Sequence, residues 1–113
     1  MTFEQIQEML QATGLPVAYY QFEDNTGLAP PFLCWYSPGT EGFYADNKVY
    51  SQLADITVEL YTEDKRWDLE EQIEEILNRH EMPYQKNESY IDSEKLFFIS
   101  YYTEVFINGT EQG

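Results

Sequence analysis

The sequence predicts an α+β fold: an α/β two-layer sandwich, with a mixed or antiparallel sheet of four to five strands carrying two helices on one face. Three observations predict it. Ala54, Ile56, Val58 and Leu60 alternate with Asp55, Thr57, Glu59 and Tyr61, the period of a strand with one apolar face. The period then changes. Leu69, Ile73, Ile76, Leu77 and His80 fall on one helical stripe, opposite Glu70, Glu71, Glu74, Glu75 and Asn78. Finally, residues 95–107 are apolar or aromatic on both faces, as in a strand covered on both sides.

The predicted order is helix, strand, strand, an optional short strand, strand, helix, strand, strand. Thr2 and Gln5 make a capping box before the stripe Phe3, Ile6, Met9 and Leu10. Gly14 and Pro16 stop that helix. Residues 17–22 (VAYYQF) form a first strand. Residues 23–29 make a polar loop, and Pro30-Pro31 admits a second strand over residues 32–36. Ser37-Pro38-Gly39-Thr40 reads as a turn. Phe43 and Tyr44 are the optional strand, and Asp46-Asn47 is a turn signal before Val49 leads into the central strand. Asp68, with Glu71 three residues on, is the expected N-cap of the second helix. Arg79 and His80 suit its C-terminal end, and Pro83 prevents continuation. Residues 84–91 and 95–107 form a hairpin around Asp92-Ser93-Glu94. Residues 1–107 thus make one domain, and residues 108–113 are expected to fray.

Charge excludes several functions. With 21 acidic against 6 basic residues, the formal net charge is -15. Such a chain is repelled by nucleic-acid backbones and anionic membranes. Neither a membrane nor specific nucleic-acid binding is expected, and DNA enters only as something to mimic. The start of the chain has no basic region or long apolar run, so a cytoplasmic start is expected. Cys34 is the only cysteine, which rules out an internal disulfide and reads as a buried thiol.

The sequence also lacks catalytic patterns. One histidine and one cysteine do not make a zinc site. Neither Glu23-Asp24-Asn25-Thr26-Gly27 nor Asp46-Asn47 has calcium-loop spacing. There is no glycine-rich phosphate loop and no serine or cysteine motif beside His80. Glu70, Glu71, Glu74 and Glu75 read as a solvated helix face rather than a paired-carboxylate site. No enzyme, catalytic residue, cofactor or metal is expected.

Aromatic residues are abundant: 10 Tyr, 7 Phe and 2 Trp. Tyr19, Phe22, Trp35, Tyr61, Tyr90, Phe98 and Tyr102 are more than two short helices can cover. An excess of this kind predicts a surface buried by another subunit. The candidate oligomer interface is Trp35, Tyr36, Phe43, Tyr44, Tyr61, Phe98 and Tyr102.

Several segments together resemble a known group. Leu15-Pro16-Val17-Ala18-Tyr19 follows the first helix, and Pro30-Pro31-Phe32 opens the second strand. Ala45-Asp46-Asn47-Lys48-Val49-Tyr50 leads into Val58-Glu59-Leu60-Tyr61-Thr62. A glutamate-rich helix ends at Pro83-Tyr84, and a hairpin with Tyr90, Ile91 and Glu94-Lys95-Leu96 follows. Over residues 1–107 this order resembles small tail-morphogenesis proteins of phages and prophages of Gram-positive bacteria. That group is similar to the tail terminator and head–tail joining proteins of long-tailed phages. The resemblance implies a homo-oligomeric ring, commonly hexameric, that caps the tail tube and meets the head connector protein. It implies a place in the virion tail or neck, after a period in the host cytoplasm, and no catalytic residues. The high charge allows a monomer in isolation. The competing expectation is an acidic DNA mimic that inhibits a host nuclease or restriction system. A mimic needs its carboxylates along one exposed face.

Overall fold

The structure, a computed structural model, describes residues 1–20, 29–45 and 48–108; of residues 41–45, 48–51 and 108 it describes the backbone alone. Its elements run α1 (Phe3–Gln11), β1 (Val17–Tyr19), β2 (Phe32–Ala45), β3 (Lys48–Thr62), α2 (Trp67–Arg79), β4 (Tyr84–Ile91) and β5 (Leu96–Asn108). The strands form one mixed sheet in the order β1-β2-β3-β5-β4. Only β1 and β2 are parallel; β2–β3, β3–β5 and β4–β5 are antiparallel. This is the α+β architecture with both helices on one face.

The two helices are held differently. In α1, Thr2 accepts from the Gln5 amide at 3.1 Å while the Gln5 side chain accepts from the Thr2 amide at 2.8 Å, the reciprocal capping box. Ile6, Met9 and Leu10 bury its apolar stripe. Gln7 fixes α1 over the sheet. Its amide donates to the Val17 carbonyl at 3.3 Å and its oxygen accepts from Trp35 Nε1 at 2.6 Å. In α2, Leu69, Ile73, Ile76 and Leu77 pack into the same core as Ile56, Val58 and Leu60, as the two periodicities require. Gln72 donates to the Thr13 carbonyl at 3.3 Å and links the helices.

Several local readings are corrected. Ser37-Pro38-Gly39-Thr40 is not a turn: β2 runs through it, and the register with β3 shifts between Tyr36 and Gly39. A proline without an amide proton is tolerated at such an irregularity, so the breaker residues mark a bulge. Phe43 and Tyr44 consequently belong to β2 and form no separate strand. The Asp46-Asn47 turn signal lies outside the described residues. The first strand stops at Tyr19, and Tyr20 has φ 73, a left-handed conformation that breaks the extended run. Gln21 and Phe22 lie outside the described residues, as do residues 23–28 of the loop and residues 109–113 of the tail. The Pro30-Pro31 bond is cis.

Asp68 does not cap α2. The N-cap is Arg66, whose guanidinium engages both Asp68 oxygens at 2.9 and 2.8 Å. Asp68 serves instead in the first turn, where its charge favours the helix dipole. His80 leaves the apolar stripe: it is the C-cap, exposed, with Nδ1 2.9 Å from the Ile76 carbonyl oxygen.

Ile73 is 0% exposed at the centre of this core. Replacing it with alanine is expected to lower the unfolding free energy by ~2–5 kcal/mol in a urea titration. A change within error would show that α2 does not pack as described.

Candidate interaction face

The period of two sends alternate residues of each strand to opposite faces. One face meets the helices through Leu33, Trp35, Ala54, Ile56, Val58, Leu60, Ile99 and Tyr101. On the other, the register aligns three cross-strand rows. Phe32, Tyr61 and Phe98 stand opposite one another, then Cys34, Glu59 and Ser100, then Tyr36, Thr57 and Tyr102. Neither described helix covers these rows.

The outer rows are aromatic. Phe32 stacks on Tyr61 at 5.1 Å, and Phe98 meets Tyr61 edge-on at 5.0 Å. Tyr36, Tyr61 and Phe98 are half-buried, while Tyr102 is 45% exposed. Small Cys34, Thr57 and Ser100 lie buried between their larger neighbours. Glu59 is the one carboxylate of the middle row, and tyrosine hydroxyls serve it. Tyr61 donates to Glu59 Oε1 at 3.1 Å, and Tyr36 also bonds to Glu59. Burial first, then the Glu59 charge and these hydrogen bonds, push both phenols up, so both stay protonated.

Of the interface residues expected from the sequence, Tyr36, Tyr61, Phe98 and Tyr102 share this face. Trp35 does not: it is 2% exposed on the helix side, against Phe3 and Tyr19. Its neighbour Tyr36 points the other way because strand side chains alternate. Phe43 and Tyr44 lie where only the backbone is described. Phe32 and Phe106 belong to the open face and were not among the expected residues. Their parity with Cys34 and Phe98 was the available signal.

The helix carboxylates are also not all solvated. Glu70 is 2% exposed and sits between two lysines. Lys65 Nζ lies 2.7 Å from its Oε2 and Lys86 Nζ 2.7 Å from its Oε1. The Lys86 contact is off the direction of a hydrogen bond and acts through charge. Lys86 also reaches Glu74 at 2.7 Å, Tyr101 donates to Glu74 at 2.8 Å, and Lys65 pairs with Glu88. The network ties α2 to the edge strand β4. Burial works against ionisation of Glu70, but the two lysines outweigh it and hold its carboxyl below the usual range. Burial first, then the hydrogen bond and charge of Glu74, push the Tyr101 phenol far up.

Among the described residues, no group of three His, Cys, Asp or Glu is placed to hold a metal ion. No helix there is long and apolar enough to cross a membrane. In comparisons with known proteins, no family model and no curated protein matches the chain.

Because the folded-state pKa of Glu70 is depressed, its contribution is present above the unfolded pKa, about 4.3. It is lost as pH falls through the folded value. Glu70→Gln is expected to cost ~1–3 kcal/mol at neutral pH, less than a fully buried pair because both ammonium groups reach water. Urea titrations of both proteins from neutral to acidic pH should therefore converge. A constant gap across that range would show that the charge of Glu70 is not what stabilises the clasp.

Proposed function

We propose that the chain is a structural assembly protein of a long-tailed phage or prophage: a tail terminator or head–tail joining component. It closes into a ring through the open sheet face and caps the tail tube. The observation that carries this reading is the uncovered double row of aromatics on Phe32, Tyr61, Phe98, Tyr36 and Tyr102. Exposed aromatic area of this kind favours a protein partner. A head-to-tail contact between identical subunits closes into a ring when its rotation permits. The resemblance of residues 1–107 to tail-morphogenesis proteins names the assembly in which such a ring would act.

The centre of the face suits burial. Glu59 would lose water in an interface, but it already accepts from tyrosine hydroxyls, which offsets much of the cost. The distribution of charge favours assembly over DNA mimicry. Among the described residues, exposed acids are spread over α1 (Glu4, Glu8), the segment before α2 and its first turn (Glu63, Asp64, Asp68), the outer side and end of α2 (Glu71, Glu75, Glu81), the hairpin (Glu88, Asp92, Glu94) and the open face (Asp55, Glu104). They do not form one exposed phosphate-like row.

A charge of -15 keeps free subunits apart. Ring closure is expected to rise with salt, as the screening length falls from about 8 Å at physiological strength to about 3 Å near 1 M. Purified tail tubes should act as a template. Light scattering across protein concentration and ionic strength, with tube co-sedimentation, checks both. Tyr102→Glu should leave the fold intact and prevent closure. A wild-type protein that is monomeric at high salt and ignores tail tubes would sink this reading and leave the DNA mimic.

A further inference from the structure

The sheet is not uniformly edged. β3 and β5 pair from Thr62 and Phe97 to Ser51 and Asn108. β4 pairs with β5 only from Ile91 and Leu96 to Tyr84 and Thr103. There the chain leaves the sheet at Pro83, whose carbonyl accepts from Thr103 Oγ1 at 2.6 Å. Beyond Thr103, the side of β5 away from β3 has no strand partner among the described residues. In a strand, every second N–H and C=O of residues 104–108 points to that side.

A shallow cleft runs along this edge, lined by Tyr84, Tyr102 and Phe106 and rimmed by Asp55, Glu81 and Glu104. Met1 and His80 reach it from the helix side, but no lysine or arginine lines it. Asp55 and Glu104 stand directly opposite on β3 and β5, both exposed. Like charges in that position destabilise a sheet. Gly39, the β2 partner of Asp55, adds no side chain to cover it. Among the described residues, no ion pair or hydrogen bond engages either carboxylate. A carboxylate alone would only guard the edge. The 56% exposed Phe106 and 45% exposed Tyr102 beside it do the opposite, offering apolar area to a partner.

We propose that this edge is a docking site for an extended basic segment of a different protein. The segment adds a strand beside residues 104–108, in line with β4. Its lysine or arginine side chains lie over Asp55 and Glu104 with their stems along Phe106, and the alternate residues, on the other face, meet Tyr84 and Val105. Backbone pairing supplies affinity and alternate side chains supply specificity. Charge complementarity selects the occupant. A second copy brings a net charge of -15, and of the basic side chains described only Lys95 is outside an ion pair with its own chain, too little to match two carboxylates. The inference goes beyond ring formation and does not depend on it.

The test is fluorescence anisotropy with a labelled peptide of about eight residues alternating arginine and valine, the length of an ordinary strand. A second peptide of the same sequence, N-methylated on alternate amides, keeps the charge and loses the backbone donors. Saturable binding of the first peptide is expected at about 0.1 M salt. Affinity should fall at least about tenfold for the N-methylated peptide and for Asp55→Asn/Glu104→Gln. That double variant should melt no lower than wild type, because it removes a like-charge pair. Equal binding of the two peptides, or undiminished binding by the double variant, overturns the proposal. Extra hydrogen-exchange protection of residues 104–108 on self-association of peptide-free protein also overturns it, since a second copy would then fill the edge.

Discussion

A β-sheet presents two faces to be covered, and the described helices cover one. The consequence runs through every strand. Ile56, Val58 and Leu60 are buried by α1 and α2, while Thr57, Glu59 and Tyr61 face away from any helix. The outward side chains are not those of a solvated sheet. Three strands place Phe32, Tyr61 and Phe98 in ring contact, and small residues fill the row beside them. The tight packing of that row limits the access of water to the backbone beneath it. The open face is therefore organised as a layer without a second layer on it.

The constraint at the opposite layer is charge. With few cations available, two of them converge on Glu70, and this sets where α2 sits relative to β4. Edge strand β4 is largely exposed, so apolar burial alone holds it weakly. The link from Glu70 and Glu74 through Lys86, and from Glu74 to Tyr101, joins helix, edge strand and neighbouring strand in one network. The network is redundant: removing one lysine leaves Glu70 the other, and removing Glu70 leaves Lys65 on Glu88 and Lys86 on Glu74.

Much of this was legible in the sequence because the signals were local. The switch from period two to a helical stripe located β3 and α2, and Thr2 with Gln5 marked α1 before any tertiary contact was known. Glu70 was misread for the opposite reason. On its own helix it belongs to the polar side, and only Lys86, on another element, makes burial tolerable. Trp35 was misassigned because one residue of register decides which face an aromatic meets. Pro38 and Gly39 looked like a turn because local chemistry does not distinguish a turn from a bulge inside a longer strand.

The distribution of cations also bears on how the molecule can associate. Lysines and arginines spent on internal carboxylates do not neutralise those on another copy. On the aromatic rows charge is sparse, and Glu59 there is already hydrogen-bonded. Among the described residues, no cation of the same chain pairs with Asp55 or Glu104. The two surfaces meet at Tyr36 and Tyr102, which belong to the aromatic rows and also line the acidic cleft. A partner seated in the cleft would therefore touch the border of the open face, and burying one surface would change the hydration of the other. The aromatic rows and the acidic cleft thus differ in charge while lying adjacent in space.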